Sequence, residues 1–563
     1  MAEVFNITDL PLIPLEHIFT FLTPSDRRIC SLVSKQFHDV WMAKKFSSDR
    51  WLCFDGCVIE KNTPPMSVLM KSERAYHNLY IDNIKLIDKD DALWNKLGET
   101  VTFIKTGLNP LFYSSTSVQS MLDKFKVLKT IDFGSATLQR FDFGNQEIDM
   151  FSTNIEEIII RKVFDQQCHH NFLKFMSRLK NLELHDVFVN DSTVDLIKNY
   201  EEILTHLDIE FGDASDSQIL QLSGKNIKIL KIRGQFQKID IFLQKLDQNF
   251  PHLKSLHIET DKAFPTLQLE KLKSIHIETY SETQTIDQLK RFPNLKQLEL
   301  YYERDPSNCF FGHEHFQMEF VESLKMEGLS GIYSPCTQCF NAVIRSFPNL
   351  TRLESDLHIQ TESSENMKKF MPKLNFLSVS PGISISRNNN LELNLSSSFS
   401  NLNTLKLGDS FVLVNIKNWP VLRFLRKLSL RKGHKNLNKN DLFELIEKIP
   451  SLENLELSYC LFQKTSHLCK FLDEVAKICK RLECFYLTEG YNENVAFKII
   501  KKLAINCEFI KTIKFQNVDI VFEISENERE YLAQIFKGRT SLRMIHVFNQ
   551  TFYSSIVYNR YGY

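Results

Sequence analysis

The chain contains 563 residues, and 69 Lys and Arg are balanced by 69 Asp and Glu, so its formal net charge is zero. The hydrophobic fraction of 43% and the charged fraction of 25% are typical of a folded globular protein, which excludes wholesale disorder. The balanced charge argues against nucleic-acid binding through the surface as a whole.

The N-terminal residues do not form a secretory signal, because Glu3, Asp9, Pro11 and Pro14 interrupt the apolar positions. No uncharged stretch approaches the roughly 20 apolar residues that a membrane helix needs. The 12 cysteines are therefore expected as reduced thiols. These features predict a cytoplasmic or nuclear protein that contacts no membrane.

The first predicted elements are short helices within residues 1–46. One apolar stripe has the spacing i, i+3, i+4, i+7 and consists of Leu15, Ile18, Phe19 and Leu22. A second stripe contains Ile29, Leu32, Val33, Phe37, Val40 and Trp41. Helices of this length bury a small core, so the segment should gain stability by docking on another surface.

This segment resembles the F-box. The resemblance lies in the Leu-Pro start at residues 10–11, the apolar stripe, Asp26, and the Val-Ser-Lys-x-Phe end at residues 33–37. It implies binding to the Skp-type adaptor of a cullin–RING ubiquitin ligase. The residues that would form or support the docking face are Leu10, Pro11, Leu15, Ile18, Phe19, Leu22 and Val33. The alternative is that these residues form only the core of a helical cap.

Residues 47–75 are too apolar for a flexible linker, since they include Trp51, Leu52, Phe54 and Val58. We expect a packed connector here. It would fix the orientation of the helical segment relative to the rest of the chain.

A repeat dominates residues 76–548. The pattern is apolar-x-x-apolar-x-apolar, and about 19 copies recur with a mean step of about 26 residues. The clear copies begin at Leu179, Leu253, Leu272, Leu295, Leu402, Leu425 and Leu452. The fourth and sixth residues point to one face of a strand, which must be buried by stacking against neighbouring copies.

A second periodic position lies three residues before each copy and is usually apolar. It is occupied by Phe125, Met176, Phe250, Phe292, Phe347, Met371, Phe399, Leu422, Ile449, Cys479 and Cys507. Pro often follows, which prevents a returning helix from continuing. We expect these side chains to fill the core where the chain returns to the sheet.

Residues 76–548 resemble the leucine-rich repeat family. The resemblance implies an α/β fold, a curved solenoid with parallel strands on the concave face and helices or irregular segments on the convex face. The Asn or Cys that usually follows the strand appears clearly only at Cys460, so an asparagine ladder at that position is not expected.

The third, fifth and seventh residues of each copy should face the concave side, where solenoids usually bind partners. The candidate substrate-binding residues are His206, Asp208, Glu210, Lys231, Arg233, His257, Glu259, His276, Glu278, Glu299 and Tyr301. If the strands are in register, His257 and Glu259 neighbour His276 and Glu278. This mildly acidic patch would accept a Lys- or Arg-bearing segment, and the alternative is a solvated face without a partner.

The sequence offers little catalytic chemistry. Cys336 and Cys339, with His313 and His315, have the residue types of a zinc site, but the cysteines also fit a helical core stripe. No cofactor or metal is expected. Residues 549–563 are aromatic and would serve either as a cap on the last repeat or as a peptide-docking tail.

Together the two resemblances imply a non-catalytic substrate-recognition subunit of an SCF-type E3 ubiquitin ligase. Its partners would be the Skp-type adaptor, through it the cullin and RING subunits, and an unknown protein substrate. The alternative is a repeat scaffold or inhibitor that acts outside any ubiquitin ligase.

Overall fold

The structure is a computed structural model. It describes residues 11–20, 34–43, 51–54, 69–72, 75–81, 91–107, 112–113, 115–134, 137–138, 154–161, 176–187, 191–211, 216–234, 236–260, 269–279, 292–302, 317–328, 337–356, 369–379, 391–393, 401–408, 411–413, 415–430, 439–458, 464–488, 493–516, 544–547 and 550–553, with a few single residues between them. The chain divides into two compact units, Met1–His257 and Ile258–Tyr563. None of the described helices is long and apolar enough to cross a membrane.

The first unit combines short helices with parallel strands. Its helices are α1 (Leu12–Thr20), α2 (Lys35–Met42), α3 (Asp91–Gly98), α4 (Ser115–Lys124), α5 (Asp191–Asn199), α6 (Asp216–Ile219), α7 (Ile239–Gln244) and α8 (Leu246–Asn249). Its strands are β1 (Trp51–Phe54), β2 (Asn78–Ile81), β3 (Phe103–Thr106), β4 (Phe112–Tyr113), β5 (Thr130–Asp132), β6 (Thr137–Leu138), β7 (Glu157–Ile160), β8 (Asn181–Val187), β9 (His206–Phe211) and β10 (Ile229–Arg233). The unit boundary falls within β11 (Ser255–Thr260).

The strands of the first unit pair in parallel in the order β1-β2-β3-β5-β7-β8-β9-β10, while β4 and β6 form a separate parallel pair. Since β1 lies within residues 47–75, a strand of the sheet precedes the first copy of the sequence repeat.

The second unit repeats this architecture. Its strands are β12 (Ser274–Thr279), β13 (Gln297–Tyr302), β14 (Ser323–Gly328), β15 (Arg352–Ser355), β16 (Phe376–Val379), β17 (Leu391–Leu393), β18 (Thr404–Leu407), β19 (Phe411–Leu413), β20 (Lys427–Leu430), β21 (Asn454–Ser458), β22 (Cys484–Thr488), β23 (Thr512–Gln516), β24 (Met544–Val547) and β25 (Gln550–Tyr553). Its helices are α9 (Thr337–Ser346), the 3-10 helix Ile416–Asn418, α10 (Lys439–Glu447), α11 (Thr465–Ile478) and α12 (Glu493–Asn506).

In the second unit the parallel order is β12-β13-β14-β15-β16-β18-β20-β21-β22-β23-β24, and β17 pairs separately with β19. The last strand, β25, pairs antiparallel with β24, so the beginning of the predicted tail joins the sheet. Residues 554–563 lie outside the described part of the chain. The expected α/β class, with short helices before stacked parallel strands, is confirmed.

The core follows the sequence pattern. In the copy that begins at Leu179, this residue, Leu182 and Leu184 are fully buried, because alternate strand residues share one face. The apolar position three residues before the copy is buried too, with Met176 as an example. Phe399 lies outside the described residues, and the other predicted members of this position are at most 5% exposed: Phe125, Phe250, Phe292, Phe347, Met371, Leu422, Ile449, Cys479 and Cys507.

A ladder of asparagines connects neighbouring repeats at a position that sequence reasoning missed. It lies immediately before the copies that begin at Ile155, Ile227, Leu295 and Leu350, rather than after the strand. The side-chain amides of Asn154, Asn226, Asn294 and Asn349 donate to the backbone carbonyls of Lys126 (3.0 Å), Glu202 (2.6 Å), Glu270 (2.7 Å) and Glu319 (2.8 Å), respectively. Each acceptor belongs to the turn of the preceding repeat, so the amides satisfy carbonyls that no strand hydrogen bond reaches.

Ion pairs join neighbouring repeats along the same edge of the sheet. Glu156 accepts from Lys180 on the next repeat at 2.9 Å and lies 3.4 Å from Lys129 on the previous one. The hydrogen bond from Lys180 lowers the pKa of this glutamate, and the charge of Lys129 adds to the effect. These pairs lie at the solvent-exposed edge, so each contributes little to stability.

Candidate functional site

The outward positions of the strands form a polar strand face in each unit. In the first unit, β9 and β10 are in register, so Asp208 lies opposite Lys231 and Glu210 lies opposite Arg233. Sequence reasoning assigned all four to substrate binding. Because their strands are adjacent, they are first of all each other's neighbours.

Asp208 is the centre of this group and is only 2% exposed. Its carboxylate accepts from Arg233 at 2.7 Å and lies 3.1 Å from Lys231. Two cations therefore compensate a buried carboxylate, which would otherwise be costly to remove from water. Asp208 is thus committed to structure, while Lys231 and Arg233 keep partly exposed side chains on the same face.

The same arrangement recurs on β5. Asp132 is also buried, and Arg161 contacts its carboxylate at 2.5 Å while Lys105 on β3 lies 3.5 Å away. Asp132 also accepts from the backbone amide of Gly134, whose positive φ of 57° brings that amide inward. Both buried aspartates are therefore compensated by two cationic side chains, which come from one neighbouring strand at Asp208 and from the two neighbouring repeats at Asp132.

His185 extends the Asp208 network at the end of β8. A nitrogen of Arg233 lies 2.5 Å from its Nδ1, which must accept because a guanidinium has no acceptor. Its Nε2 is then the protonated nitrogen, and it lies 3.6 Å from the Glu183 carboxylate. The hydrogen bond from His185 is the main reason why the pKa of Glu183 is lowered. The network therefore holds the guanidinium of Arg233 and the carboxylates of Asp208 and Glu183 in fixed positions.

His206 is one of the predicted site residues with an unsatisfied side-chain atom. Its Nε2 is buried and has no hydrogen-bond partner among the described residues, and burial lowers the pKa of the imidazole. Ligand atoms of His206, Glu183 and Asp208 lie within 4.8 Å of one another, so these side chains could together hold a metal ion. However, Asp208 already binds two cationic side chains, which compete for the same oxygens.

In the second unit, His276 on β12 is held between two carboxylates. Its Nδ1 lies 2.9 Å from Glu299 on β13, and its Nε2 lies 3.2 Å from Glu278. The imidazole also stacks on Tyr301, with ring centroids 4.8 Å apart. Lys325 on β14 lies over the Tyr301 ring, with its Nζ 4.8 Å from the ring centroid, and donates a hydrogen bond to the phenol oxygen. The predicted residues of β12 and β13 are thus brought together.

The predicted residues of β11, His257 and Glu259, are partly buried on their strand. That they neighbour His276 and Glu278 stays a prediction. Of the residues considered for zinc, Cys336, His313 and His315 lie outside the described part of the chain.

Several described thiols are unsuited to nucleophilic catalysis. Burial raises the pKa of Cys479 to about 12 and also raises the pKa values of Cys30 and Cys484. Since the thiolate is the reactive form, these cysteines are held in the unreactive state.

The helical pair at the N-terminus has its own small core. Leu15 and Phe19 of α1 pack against Phe37 and Val40 of α2, and all four side chains are buried. The rings of Phe19 and Phe37 meet edge to face at 5.6 Å. The two stripes that the sequence predicted therefore face each other.

Two local contacts fix the ends of these helices. Arg27 donates to the carbonyls of Phe19 (3.2 Å) and Leu22 (2.8 Å), which lie at the C-terminal end of α1. Ser34 caps α2, since its hydroxyl accepts from the amide of Phe37 at 3.1 Å. These contacts hold α1 and α2 in place, so the position of the first turn of α1 is fixed as well.

Residues 7–48 match the family model of the F-box domain. The chain carries an F-box domain. This match agrees with the resemblance in the Leu-Pro start and the Val-Ser-Lys-x-Phe end of the segment.

Within the F-box domain, the predicted adaptor-binding residues fall into three groups. Leu15 and Phe19 are core residues that support the surface, and Ile18 and Leu22 pack partly buried against that core. Pro11 is exposed. Leu10 and Val33 lie outside the described residues.

The apolar surface of the F-box domain lies at residues that sequence reasoning missed. Ile13 is 80% exposed and Leu12 is 45% exposed, both in the first turn of α1. The signal was present in the sequence, because Ile13 is an isoleucine outside the stripe of Leu15 and Phe19. An apolar side chain that the helix does not need for its own core is available to a partner.

Comparison with other proteins adds little beyond the F-box domain. A chain from the crystal structure of the yeast Rad7 and Elc1 complex is 12% identical, and the match covers 92% of this chain and 96% of that chain. Its TM-score is 0.23, and so low a value supports no inference about fold or partners. No curated protein matches the sequence.

Proposed function

We propose that the protein is the substrate-recognition subunit of an SCF-type E3 ubiquitin ligase, in which the F-box domain docks on a Skp-type adaptor. The observation that carries this proposal is the F-box domain itself, with Ile13 and Leu12 exposed above a closed apolar core. Burial of exposed isoleucine and leucine side chains is the usual driving force of such docking. The adaptor would connect the chain to the cullin and RING subunits.

The second half of the proposal is that the polar strand face binds the protein to be ubiquitinated. It is supported by charged side chains that neighbouring groups hold in position, such as Arg233, which donates to Asp208, and Lys325, which donates to the hydroxyl of Tyr301. Side chains ordered before binding lose less conformational entropy on association. In this role the protein is not an enzyme, and it would work in the cytoplasm or the nucleus.

The adaptor half is tested by co-purification of the full chain with a recombinant Skp-type adaptor. We expect the wild type to bind and Ile13→Lys to lose at least tenfold in affinity. Ile505→Lys is the matched control, because Ile505 is a 56% exposed isoleucine on helix α12. The proposal is contradicted if wild type fails to bind, or if both variants bind as well as wild type.

The alternative, a repeat scaffold or inhibitor, predicts that no adaptor binds the wild type while other proteins still do. Disabling the F-box separates the two. If Ile13→Lys abolishes ubiquitination of captured proteins but not their capture, the ligase role is supported. Capture without any dependence of ubiquitination on Ile13 supports the scaffold.

A further inference from the structure

The polar strand face of the second unit changes character along the sheet. On the described strands β12 to β15, the outward carboxylates Glu278, Glu299, Glu327 and Glu354 outnumber the outward cations Lys325 and Arg352. From β16 to β23 the only outward carboxylate among the described residues is Glu456, and three lysines are present: Lys406, Lys427 and Lys514. We call these three lysines the basic strand patch.

The lysines of the basic strand patch form no ion pair with the described residues. Within the described part of the chain, none of the three forms an ion pair, whereas Lys325 lies 3.4 Å from Glu327 and Arg352 pairs with Glu354. Lys406 lies over the ring of Phe376 at 5.5 Å. Lys427 and Lys514 are exposed. The positive charges of the patch are therefore available to bind an anionic partner.

An unused hydroxyl lies within the patch. Ser429 is at the outward position opposite Lys406, and its Oγ is buried without a hydrogen-bond partner. Ser429 is only 4% exposed, so it is covered by its neighbours on the face.

The spacing of the lysines suits an extended peptide. Lys427 on β20 and Lys514 on β23 are separated by three strand steps of about 4.8 Å and by two residues along the strand, or roughly 16 Å in all. An extended chain covers this distance in about four to five residues. The outward residues on the strands between the two lysines are Asn454 and Glu456 on β21 and Cys484 and Tyr486 on β22. A segment that crosses the strands over Asn454 and Tyr486 would meet a cation at each end and hydrogen-bonding groups between them.

We propose that the basic strand patch binds an extended acidic segment of the protein substrate, with carboxylates about four residues apart on Lys427 and Lys514. This inference rests on the proposed role of the strand face in substrate binding, and it names the chemistry that face selects. It differs from the sequence-based expectation of a Lys- or Arg-bearing partner. Two of the acidic side chains on the predicted face are engaged with neighbouring side chains, Asp208 with Lys231 and Glu299 with His276.

The test is fluorescence anisotropy of the full chain with a labelled decapeptide that carries Glu at every fourth position in a Gly-Ser background. We expect binding that weakens several-fold between about 50 and 150 mM salt, because exposed charges are screened. The same peptide with Lys in place of Glu should not bind. Equal binding of the two peptides, or of single-stranded DNA in place of the acidic peptide, would overturn the proposal.

The variant Lys427→Glu/Lys514→Glu should bind the acidic peptide at least tenfold more weakly. Its matched control is Lys225→Glu/Lys477→Glu, which makes the same change of charge at exposed lysines that are already paired with glutamates. The control should change affinity less than twofold, and equal losses in the two double variants would refute the site. Lys427→Gln/Lys514→Gln repeats the test without new charge, and circular dichroism checks folding.

Adaptor binding measured on the same variants separates the two proposals. Loss of peptide binding in Lys427→Glu/Lys514→Glu with the adaptor still bound supports both. If the wild type binds the peptide but no adaptor, the proposed peptide site is supported and the ligase role is contradicted. If the wild type binds the adaptor but not the peptide, the ligase role is supported and the peptide site is contradicted.

Discussion

Arg233 donates to the buried carboxylate of Asp208 from the neighbouring strand, at 2.7 Å. The contact joins two copies of the repeat through their outward positions, where side chains are usually described as free to evolve for binding. Here part of the polar strand face stabilises the stack, and only the remainder is free for partners. The two uses can be separated by experiment.

Replacing Arg233 with Met should lower the free energy of unfolding by about 2–3 kcal/mol, because a buried carboxylate loses its closest cation while Lys231 remains. Urea unfolding of the full chain measures the loss. Asp208→Asn/Arg233→Met should recover much of it, since the uncompensated charge is gone. Lys225→Met, which removes a fully exposed lysine, should change the free energy of unfolding far less than Arg233→Met. Equal effects of the two single substitutions would show that Asp208 does not depend on Arg233.

Stability should depend on pH through His206, whose pKa is lowered in the folded protein by burial. Between the lowered pKa of His206 in the folded protein and its value of about 6.5 in the unfolded chain, the imidazole is protonated in the unfolded chain but not in the folded protein. Stability is therefore full above that value, falls as the pH drops through it, and levels off below the folded pKa. Thermal unfolding between about pH 7.5 and 5.5 measures this slope.

The matched variants for this prediction are His206→Gln and His252→Gln. The first should flatten the slope, and the second should keep it, because His252 is exposed. An unchanged slope in His206→Gln would assign the pH dependence to other groups.

Phe19→Ala should open the core of the F-box domain. Removal of a buried phenylalanine typically costs about 3–5 kcal/mol, more than a pair of short helices can lose. Hydrogen exchange should then show faster exchange for α1 and α2 while β12 to β16 remain protected. Phe424→Ala, at a 58% exposed phenylalanine, is the control and should leave both regions unchanged. If α1 stayed protected in Phe19→Ala, the core would not depend on this ring.

The asparagine ladder predicts a small, position-specific loss. Asn294→Ala removes the hydrogen bond to the carbonyl of Glu270 and should cost about 0.5–1 kcal/mol, the usual net value of such a bond. Asn294→Asp should cost at least as much, because a carboxylate cannot donate. Asn401 occupies the same position before Leu402 and makes no side-chain hydrogen bond to the described residues. Asn401→Ala should therefore leave the free energy of unfolding in urea unchanged. A loss of stability equal to that of Asn294→Ala would show that the hydrogen bonds of the ladder do not stabilise the protein.

The sequence predicted the strands well because burial alone determines them. The spacing of Leu295, Leu298 and Leu300 suits a parallel strand with one buried face. Every copy needs apolar side chains at these same positions. The helical stripes of the F-box domain were predictable for the same reason. Those residues face a core, and a core requires only apolar side chains at the right period.

The site was less predictable because its properties depend on neighbours distant in sequence. Nothing local distinguishes Asp208, which is buried between two cations, from Glu210, which is partly exposed. Their difference comes from side chains on other strands. Likewise the asparagine ladder uses a turn position whose acceptor lies in the preceding repeat, about 24–30 residues away. Such contacts emerge only when the register between copies is known.

The charge pairs at the sheet edge bear on how this chain could gain or lose copies. Glu156 separates Lys129 from Lys180, so excising its repeat would place two lysines side by side. Lys273 and Lys296 already occupy this position in adjacent copies, so the edge tolerates such neighbours at small cost. A duplication or deletion would therefore be limited by the apolar pattern and the strand register, and far less by the signs of these exposed charges.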